Sequence, residues 1–217
     1  MHETPQQSYE TRLRRFLHII HGPEGLVAKL AVFRELLRQF KEHGEDLWSI
    51  SPPLYFFARS MQNEVLLALA RLLETKERSW GNLEKFLDFS AANAHHIRWA
   101  DEAMTEEFVF EQKASLKLHS GVIAAIMGRR DKVIAHLDRK YFFNPDAVNA
   151  DFPLGDQAMI DLANEIIRIL GSHEQGLTPN NSTFHLGEFY HIAVDNMVRA
   201  LEKGRIPIRS GGENGAN

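Results

Sequence analysis

The placement of glycine and proline is the feature of this sequence that most restricts its fold. Neither residue occurs in the stretches 54–80, 82–120 and 156–170, and because both residues interrupt or weaken helices, each stretch can carry a long one. No segment shows, over more than a few residues, the alternation of apolar and polar side chains that is typical of a half-buried strand. The sequence therefore predicts an all-α protein, and its 217 residues, with no internal repeat or long linker, predict a single domain.

Apolar residues spaced by three and four positions predict the individual helices. A clear stripe runs from Leu26 to Phe40 and is flanked by charged residues. Residues 54–73 are apolar almost all round, which is typical of the central helix of a bundle. The other helices are predicted at 82–89, 91–97, 105–137, 156–173 and 186–203. The inner side of the last helix would carry Phe189, Ile192, Ala193, Met197 and Ala200. We therefore expect an up-down-type helical bundle over residues 8–203, with disordered ends at 1–7 and 204–217.

The composition excludes several classes of protein. The chain has 0 cysteines, which removes disulfide scaffolds, thiolate metal sites and cysteine nucleophiles. No apolar run approaches the roughly 20 residues of a membrane-spanning helix, and the first residues lack the pattern of a signal peptide. We therefore expect a cytoplasmic protein without membrane contact. The net charge of −4 disfavours a protein that coats nucleic acid non-specifically, but it does not disfavour a local basic site.

One segment, residues 128–140, combines local positive charge with a histidine. It holds five basic residues against two acidic ones. Arginine supplies permanent charge and a forked set of donors suited to phosphate, and histidine exchanges protons near neutral pH. Because the 2′-hydroxyl of RNA is itself the nucleophile, these side chains suffice for cleavage of an RNA phosphodiester without a metal. A structural reading stays open at this point, since basic residues near the end of a helix also stabilise its dipole.

The residues from 130 to 138 read Arg-Asp-Lys-Val-Ile-Ala-His-Leu-Asp. This stretch resembles the signature of HEPN domains, an arginine with a polar residue directly after it and a histidine roughly four to six residues on. It is most similar to the abortive-infection (AbiU-type) branch, whose members tend to show an Arg-Asp-Lys-type start, then Ala-His and an aspartate two residues later. Residues 69–87 also resemble that branch's central helix, short polar loop and following helix. The order of the elements agrees over about residues 20–203.

The resemblance implies a compact helical domain that forms a homodimer, with a composite site between two motif helices. Active HEPN members are metal-independent endoribonucleases, often toxins or phage-defence effectors, and others are inactive modules that bind nucleotide, RNA or a partner protein. By the resemblance, His136 would be the acid/base, Arg130 would bind the phosphate and the transition state, and Asp131 would orient one of them. RNA and an antitoxin or regulatory protein would be the partners, with no cofactor and no metal.

The motif arginine can be chosen in two ways. On a regular helix Arg129 lies within about 20° of the face of His136, whereas Arg130 lies about 120° from it. The polar residue after Arg130 favours Arg130, and a site shared between two chains tolerates its angle. We therefore assign Arg130 to the motif. The residues predicted to contact the substrate are Arg129, Lys132, Asp138, Arg139, Lys140 and Tyr141.

A metal-binding helical bundle is the alternative from another class of protein. Ferritin-like di-iron sites need two Glu-x-x-His motifs, and despite its 11 histidines this chain offers one, from Glu188 to His191. We therefore expect His185 and His191 to have structural roles. No glycine-rich phosphate loop occurs, which disfavours a conventional NTPase or dehydrogenase.

Overall fold

The computed structural model describes residues 3–44, 51–74, 82–101, 103–134, 138–144, 146–179 and 186–204. Within these ranges there is no β-strand, only an isolated bridge between Arg98 and Ala103, and the all-α prediction is confirmed. The α-helices are α1 (Pro5–His21), α2 (Leu26–His43), α3 (Pro52–Leu73), α4 (Leu83–Ala92), α5 (Glu106–Leu118), α6 (Ser120–Arg129), α7 (Arg139–Phe143), α8 (Ala147–Asp151), α9 (Asp156–Leu177) and α10 (Leu186–Lys203). A 3₁₀ turn at Ala94–His96 follows α4, and a π-helical turn at Arg130–Ile134 continues α6.

Helix α1 was not among the predicted helices, and it begins before residue 8, the predicted start of the bundle. The side chain of Thr4 accepts a hydrogen bond from the backbone N of Gln7 at 3.2 Å, and the side chain of Gln7 accepts one from the backbone N of Thr4 at 3.0 Å. This reciprocal capping box satisfies N–H groups that the start of a helix leaves without partners. Pro5 suits the first turn because its missing N–H would have no partner there. The bundle therefore starts inside the segment 1–7 that composition assigned to a disordered end.

The main core is formed by residues of α1 to α6 and α9. Helix α3, predicted to be central, contacts α2, α4, α6 and the π-helical turn. Its buried core residues include Val65, Leu66, Leu69 and Leu72. Burial of each such side chain contributes about 1.5–3 kcal/mol, so α3 is a rigid support for the turn that it contacts.

Helix α10 packs along α2 and builds a second, smaller core. The buried residues of this cluster are Leu36, Leu54, Ala58, Val194 and Val198. The bounds predicted for α10 are confirmed. Of its predicted inner residues, Met197 packs against this core, but Phe189 and Ile192 are 60% and 53% exposed, and Ala193 and Ala200 are also exposed. The helix carries apolar residues on more than one face, and its contact with α2 decides which face is buried.

The helix predicted from residue 105 to residue 137 is divided in two. Helix α5 ends at Leu118, and α6 starts at Ser120 after His119, whose φ and ψ are −93° and 11°. The break lies at three consecutive residues of lower helix propensity, His119, Ser120 and Gly121. This low propensity accounts for the position of the break. Because of this break, α6 can pack against α3 while α5 packs against α4.

By length and composition, the segment Pro5–His43 is a weak candidate for a membrane span. It comprises two helices joined by a turn at residues 22–25. Several of its apolar residues, among them Phe16, Ile20 and Leu26, belong to the main core.

Candidate functional site

Arg130 starts the π-helical turn and is held by two carboxylates. Its Nε donates a hydrogen bond to Oδ1 of Asp131 at 2.7 Å, and its Nη2 lies 2.6 Å from the same oxygen. Its Nη1 lies 3.2 Å from Oε1 of Glu74, the residue that ends α3. Because a guanidinium has five N–H donors, these three contacts leave two donors for another acceptor. The side chain is 13% exposed, so Arg130 is fixed in position, and part of its donor set has no partner in the described part of the chain.

The π-helical turn changes the angular argument about the motif. A π-helix bonds residue i to i+5 and therefore holds more residues per turn than an α-helix, and such turns are frequent at functional sites. The angles of about 20° between Arg129 and His136 and about 120° between Arg130 and His136 assume a regular α-helix. The π-helical turn at Arg130–Ile134 does not meet this assumption. His136 lies outside the described residues, together with its neighbours Ala135 and Leu137. The acid/base role of His136 therefore stays a prediction.

Arg129 binds α8 and the residue after it. Its Nε donates to the carbonyl oxygen of Phe152 at 2.9 Å, and its Nη2 donates to the side-chain oxygen of Asn149 at 2.9 Å. Burial, and then the nearby cation Arg59, lower the pKa of Arg129. The ring of Phe152 lies against Gly128, where an added Cβ would be 2.3 Å from two ring carbons. The absence of a side chain at Gly128 thus lets Arg129 reach its partners. Because Arg129 has this structural role, we favour Arg130 as the motif arginine.

Asp138 joins the π-helical turn to α7. Its side chain accepts a hydrogen bond from the backbone N of Lys140 at 3.0 Å, which caps α7. Its Oδ2 lies 3.7 Å from Nζ of Lys132, and its backbone N donates to the carbonyl oxygen of Lys132 at 2.8 Å. Arg139 follows as an exposed residue, with its guanidinium carbon 6.0 Å from the centre of the Phe143 ring. Asp138 thus connects Lys132 of the π-helical turn to Lys140 of α7.

Tyr141 and Lys140 share one carboxylate oxygen of Asp151. The hydroxyl of Tyr141 donates to Asp151 Oδ2 at 2.8 Å, and Lys140 Nζ forms a close ion pair with the same oxygen. The bonds from Lys140 and Tyr141 lower the pKa of Asp151, and the carboxylate in turn raises the pKa of both of its partners. Tyr141 is 8% exposed and its ring lies 5.9 Å from that of Phe152, centre to centre. Tyr141 therefore anchors α7 to α8, and its contact with a substrate stays a prediction.

Two exposed aromatic rings follow the anchor. Phe142 and Phe143 are 59% and 72% exposed, and their ring centres lie 5.0 Å apart in an edge-to-face arrangement. Ile134, at the end of the π-helical turn, is 37% exposed. Exposed aromatic faces of this kind can stack on a nucleobase, and an exposed apolar patch can also pack against another protein chain.

The positive charge of the motif is smaller in the fold than along the sequence. Residues 128–140 alone hold five basic and two acidic side chains. The fold adds Glu74 beside Arg130 and Asp151 beside Lys140, so that four carboxylates accompany the five cations. Neither Glu74 nor Asp151 can be recognised from the sequence as a partner of the motif, because each contacts the motif only in the folded chain.

Within the described ranges, no group of three or more histidine, aspartate and glutamate side chains is placed to hold a metal ion. His191, from the Glu-x-x-His match, pairs with Glu35 of α2. His185 lies outside the described residues.

Comparisons with known proteins agree with the resemblance that the motif carries. The family model HEPN_AbiU2, described as AbiU2, matches residues 15–196, which include all of the segment 128–140. The chain has no match among curated proteins and none among solved structures.

Proposed function

This chain belongs to the AbiU2 family of HEPN proteins, and on that premise we propose that it is a metal-independent endoribonuclease of the abortive-infection type. The observation that carries the proposal is the state of Arg130. Asp131 and Glu74 fix this guanidinium at the start of the π-helical turn, and two of its donors have no partner among the described residues. The same motif contains His136, which would transfer the protons.

A guanidinium that is already fixed is suited to the transition state of phosphodiester cleavage. Negative charge builds on the phosphoryl oxygens when the 2′-hydroxyl attacks the phosphorus. Donors that are held in place before the reaction stabilise this charge without the cost of reorganisation. Asp131 and Glu74 would therefore act as positioning residues for Arg130.

The proposed reaction needs no group that the chain does not contain. A neutral His136 takes the proton of the 2′-hydroxyl, and the 2′-oxygen forms a bond to phosphorus while the bond from phosphorus to the 5′-oxygen breaks. A protonated His136, from the same chain or from a second copy, gives a proton to the leaving 5′-oxygen. The products are a 2′,3′-cyclic phosphate end and a 5′-hydroxyl end.

We propose a homodimer as the active form, because one site then receives two imidazoles and two guanidiniums. The exposed apolar residues beside the motif support this assembly, since a second copy would cover them. These residues are Ile134, Phe142 and Phe143. An antitoxin or regulatory protein is a further proposed partner, because an unrestrained ribonuclease would damage the cell that makes it.

Cleavage of RNA in the presence of EDTA tests the proposal. The wild-type protein is compared with His136→Ala and Arg130→Ala, and we expect both variants to lose nearly all activity. His95→Ala and Arg14→Ala are the matched controls, because both residues are exposed and lie far from the motif in sequence. Equal cleavage by the wild type and the two motif variants would refute the proposal.

A second candidate is a non-catalytic HEPN module that binds RNA, a nucleotide or a partner protein. The two carboxylate partners of Arg130 favour this function, because they reduce the charge that its guanidinium can offer to a transition state. Fluorescence anisotropy with a labelled RNA distinguishes the two functions. Binding that Arg130→Ala weakens, with no cleavage by the wild type, would support the module over the enzyme.

A further inference from the structure

The pair of Glu35 and His191 lies between α2 and α10, and neither residue belongs to the segment 128–140. The two helices enclose a cleft of about 430 Å³, a volume within the usual range for a site that binds a small molecule. The residues that line it are Ala31, Arg34, Glu35, Arg38 and His191.

Glu35 fixes the imidazole of His191 at one wall of the cleft. The Glu35 side chain is 3% exposed, and it accepts hydrogen bonds from Arg38 Nε at 3.0 Å and from Gln39 Nε2 at 2.9 Å. It also forms a close ion pair with His191 Nδ1. Burial alone would raise the pKa of Glu35, but the bonds from Arg38, Gln39 and His191 outweigh burial and lower it. The carboxylate therefore stays charged and holds a proton on Nδ1, while Nε2 lies on the opposite side of the ring.

Arg38 has no capacity left for a ligand, because three carboxylates of the protein surround it. Besides Glu35, its guanidinium bonds Glu42 at 2.6 Å and lies 3.2 Å from Asp195. Asp195 also forms an ion pair with Arg199, whose Nε lies 2.9 Å from Asp195 Oδ2. Glu42 and Asp195 are thus paired with Arg38 and Arg199, and Glu35 is shared between Arg38 and His191.

Arg34 supplies a further guanidinium to the cleft. It lines the cleft and is exposed, and within the described part of the chain it has no hydrogen bond or ion pair. His191 is 52% exposed, and its Nε2 likewise has no partner among the described residues. When the imidazole carries both of its protons, the cleft therefore presents a forked guanidinium from Arg34 and an N–H at Nε2 of His191, which is a donor set suited to phosphate.

We propose that this cleft binds a phosphate group, from a nucleotide or from an RNA backbone, through Arg34 and Nε2 of His191. Glu35 acts as the positioning residue, because it holds the ring so that Nε2 faces the ligand. The site is independent of the proposed ribonuclease reaction, since no residue of the motif takes part in it.

Proton NMR of the imidazole of His191 tests this proposal. The resonance is assigned by comparison with His191→Gln and followed while inorganic phosphate, AMP or a single-stranded RNA oligonucleotide is added at constant ionic strength, with chloride as the control anion. We expect a saturable shift with phosphate and with AMP if the ligand is a nucleotide, and a shift with RNA at much lower concentration if it is the RNA backbone. No shift with any of the three would overturn the proposal.

Two variants that each lose one positive charge distinguish a specific phosphate site from a general effect of charge on binding. Arg34→Gln removes a donor in the cleft, and because Arg34 is exposed, the fold is retained. Lys41→Gln removes the same charge from an exposed position of α2 that does not line the cleft. We expect Arg34→Gln to weaken binding about tenfold, as the loss of a charge-assisted hydrogen bond does, and Lys41→Gln to change it less than twofold. Equal effects of the two variants would also overturn the proposal.

Discussion

Acidification should destabilise this protein through one core histidine, His173. The side chain is 0% exposed, with Nδ1 2.7 Å from the hydroxyl of Tyr9 and Nε2 2.8 Å from Oε1 of Gln112. Trp99 Nε1 donates to the same hydroxyl at 3.2 Å, and Gln112 Nε2 donates to Ser172 at 3.0 Å. The hydrogen-bond chain is thus complete when the imidazole is neutral. A second ring proton would have no acceptor, because the Tyr9 hydroxyl already donates to Nδ1.

The size of the effect follows from the pKa of His173 in the two states. Burial lowers it from 6.5 to about 3 in the folded protein. Below about pH 6.5 the unfolded chain therefore binds a proton that the folded chain does not, and stability is lost as the pH falls toward 3. The loss approaches about 1.4 kcal/mol per pH unit in this window. Between pH 8 and pH 5 it amounts to about 2 kcal/mol from this residue alone.

Urea unfolding at pH 8 and at pH 5 measures the effect. In the wild type the free energy of unfolding should fall by about 2 kcal/mol more than in His173→Gln, which cannot titrate at this position. His95→Gln, at an exposed position, should behave like the wild type. The reasoning fails if His173→Gln shows the same dependence on pH as the wild type. It also fails if the His173 resonance of the folded wild type titrates near its ordinary pKa, a measurement that does not need the variant to fold.

Two further predictions concern α6 and the motif. Gly128→Ala should destabilise the protein by about 1–3 kcal/mol through overlap with Phe152. Gly121→Ala on the same helix, where nothing lies within 4 Å, should instead stabilise it by about 0.5–1 kcal/mol, and thermal unfolding compares the two. Asp131→Asn should lower kcat for RNA cleavage by about tenfold with little change in KM, because Arg130 is less well positioned. Unchanged or faster cleavage would show that this carboxylate repels RNA rather than orienting Arg130.

The helices could be predicted from the sequence because their signals are local. The bounds predicted for α10 agree with the structure, and α9 begins at Asp156 as expected. The break at His119 was not expected, although the run of weak helix formers at residues 119–121 was visible in the sequence. Which face of α10 is buried depends on its contact with α2, and such a contact is not encoded in the periodicity of either helix alone.

The candidate site could be predicted only in part, because its contacts join distant parts of the chain. The motif located Arg130 and Asp131, but the pairing of Arg130 with Glu74 requires that α3 and the π-helical turn meet. The pairing of Asp151 with Lys140 and Tyr141 likewise requires that α7 and α8 meet. A count of charges along the segment therefore overestimates the charge that RNA would meet.

The chemistry of the RNA ends produced in EDTA tests the proposed mechanism most directly. The wild type should leave a 2′,3′-cyclic phosphate on one fragment and a 5′-hydroxyl on the other, and His136→Ala should leave the RNA intact. Fragments that carry a 3′-hydroxyl and a 5′-phosphate, or cleavage that appears only when a divalent cation is added, would contradict a reaction in which the 2′-hydroxyl of the substrate is the nucleophile.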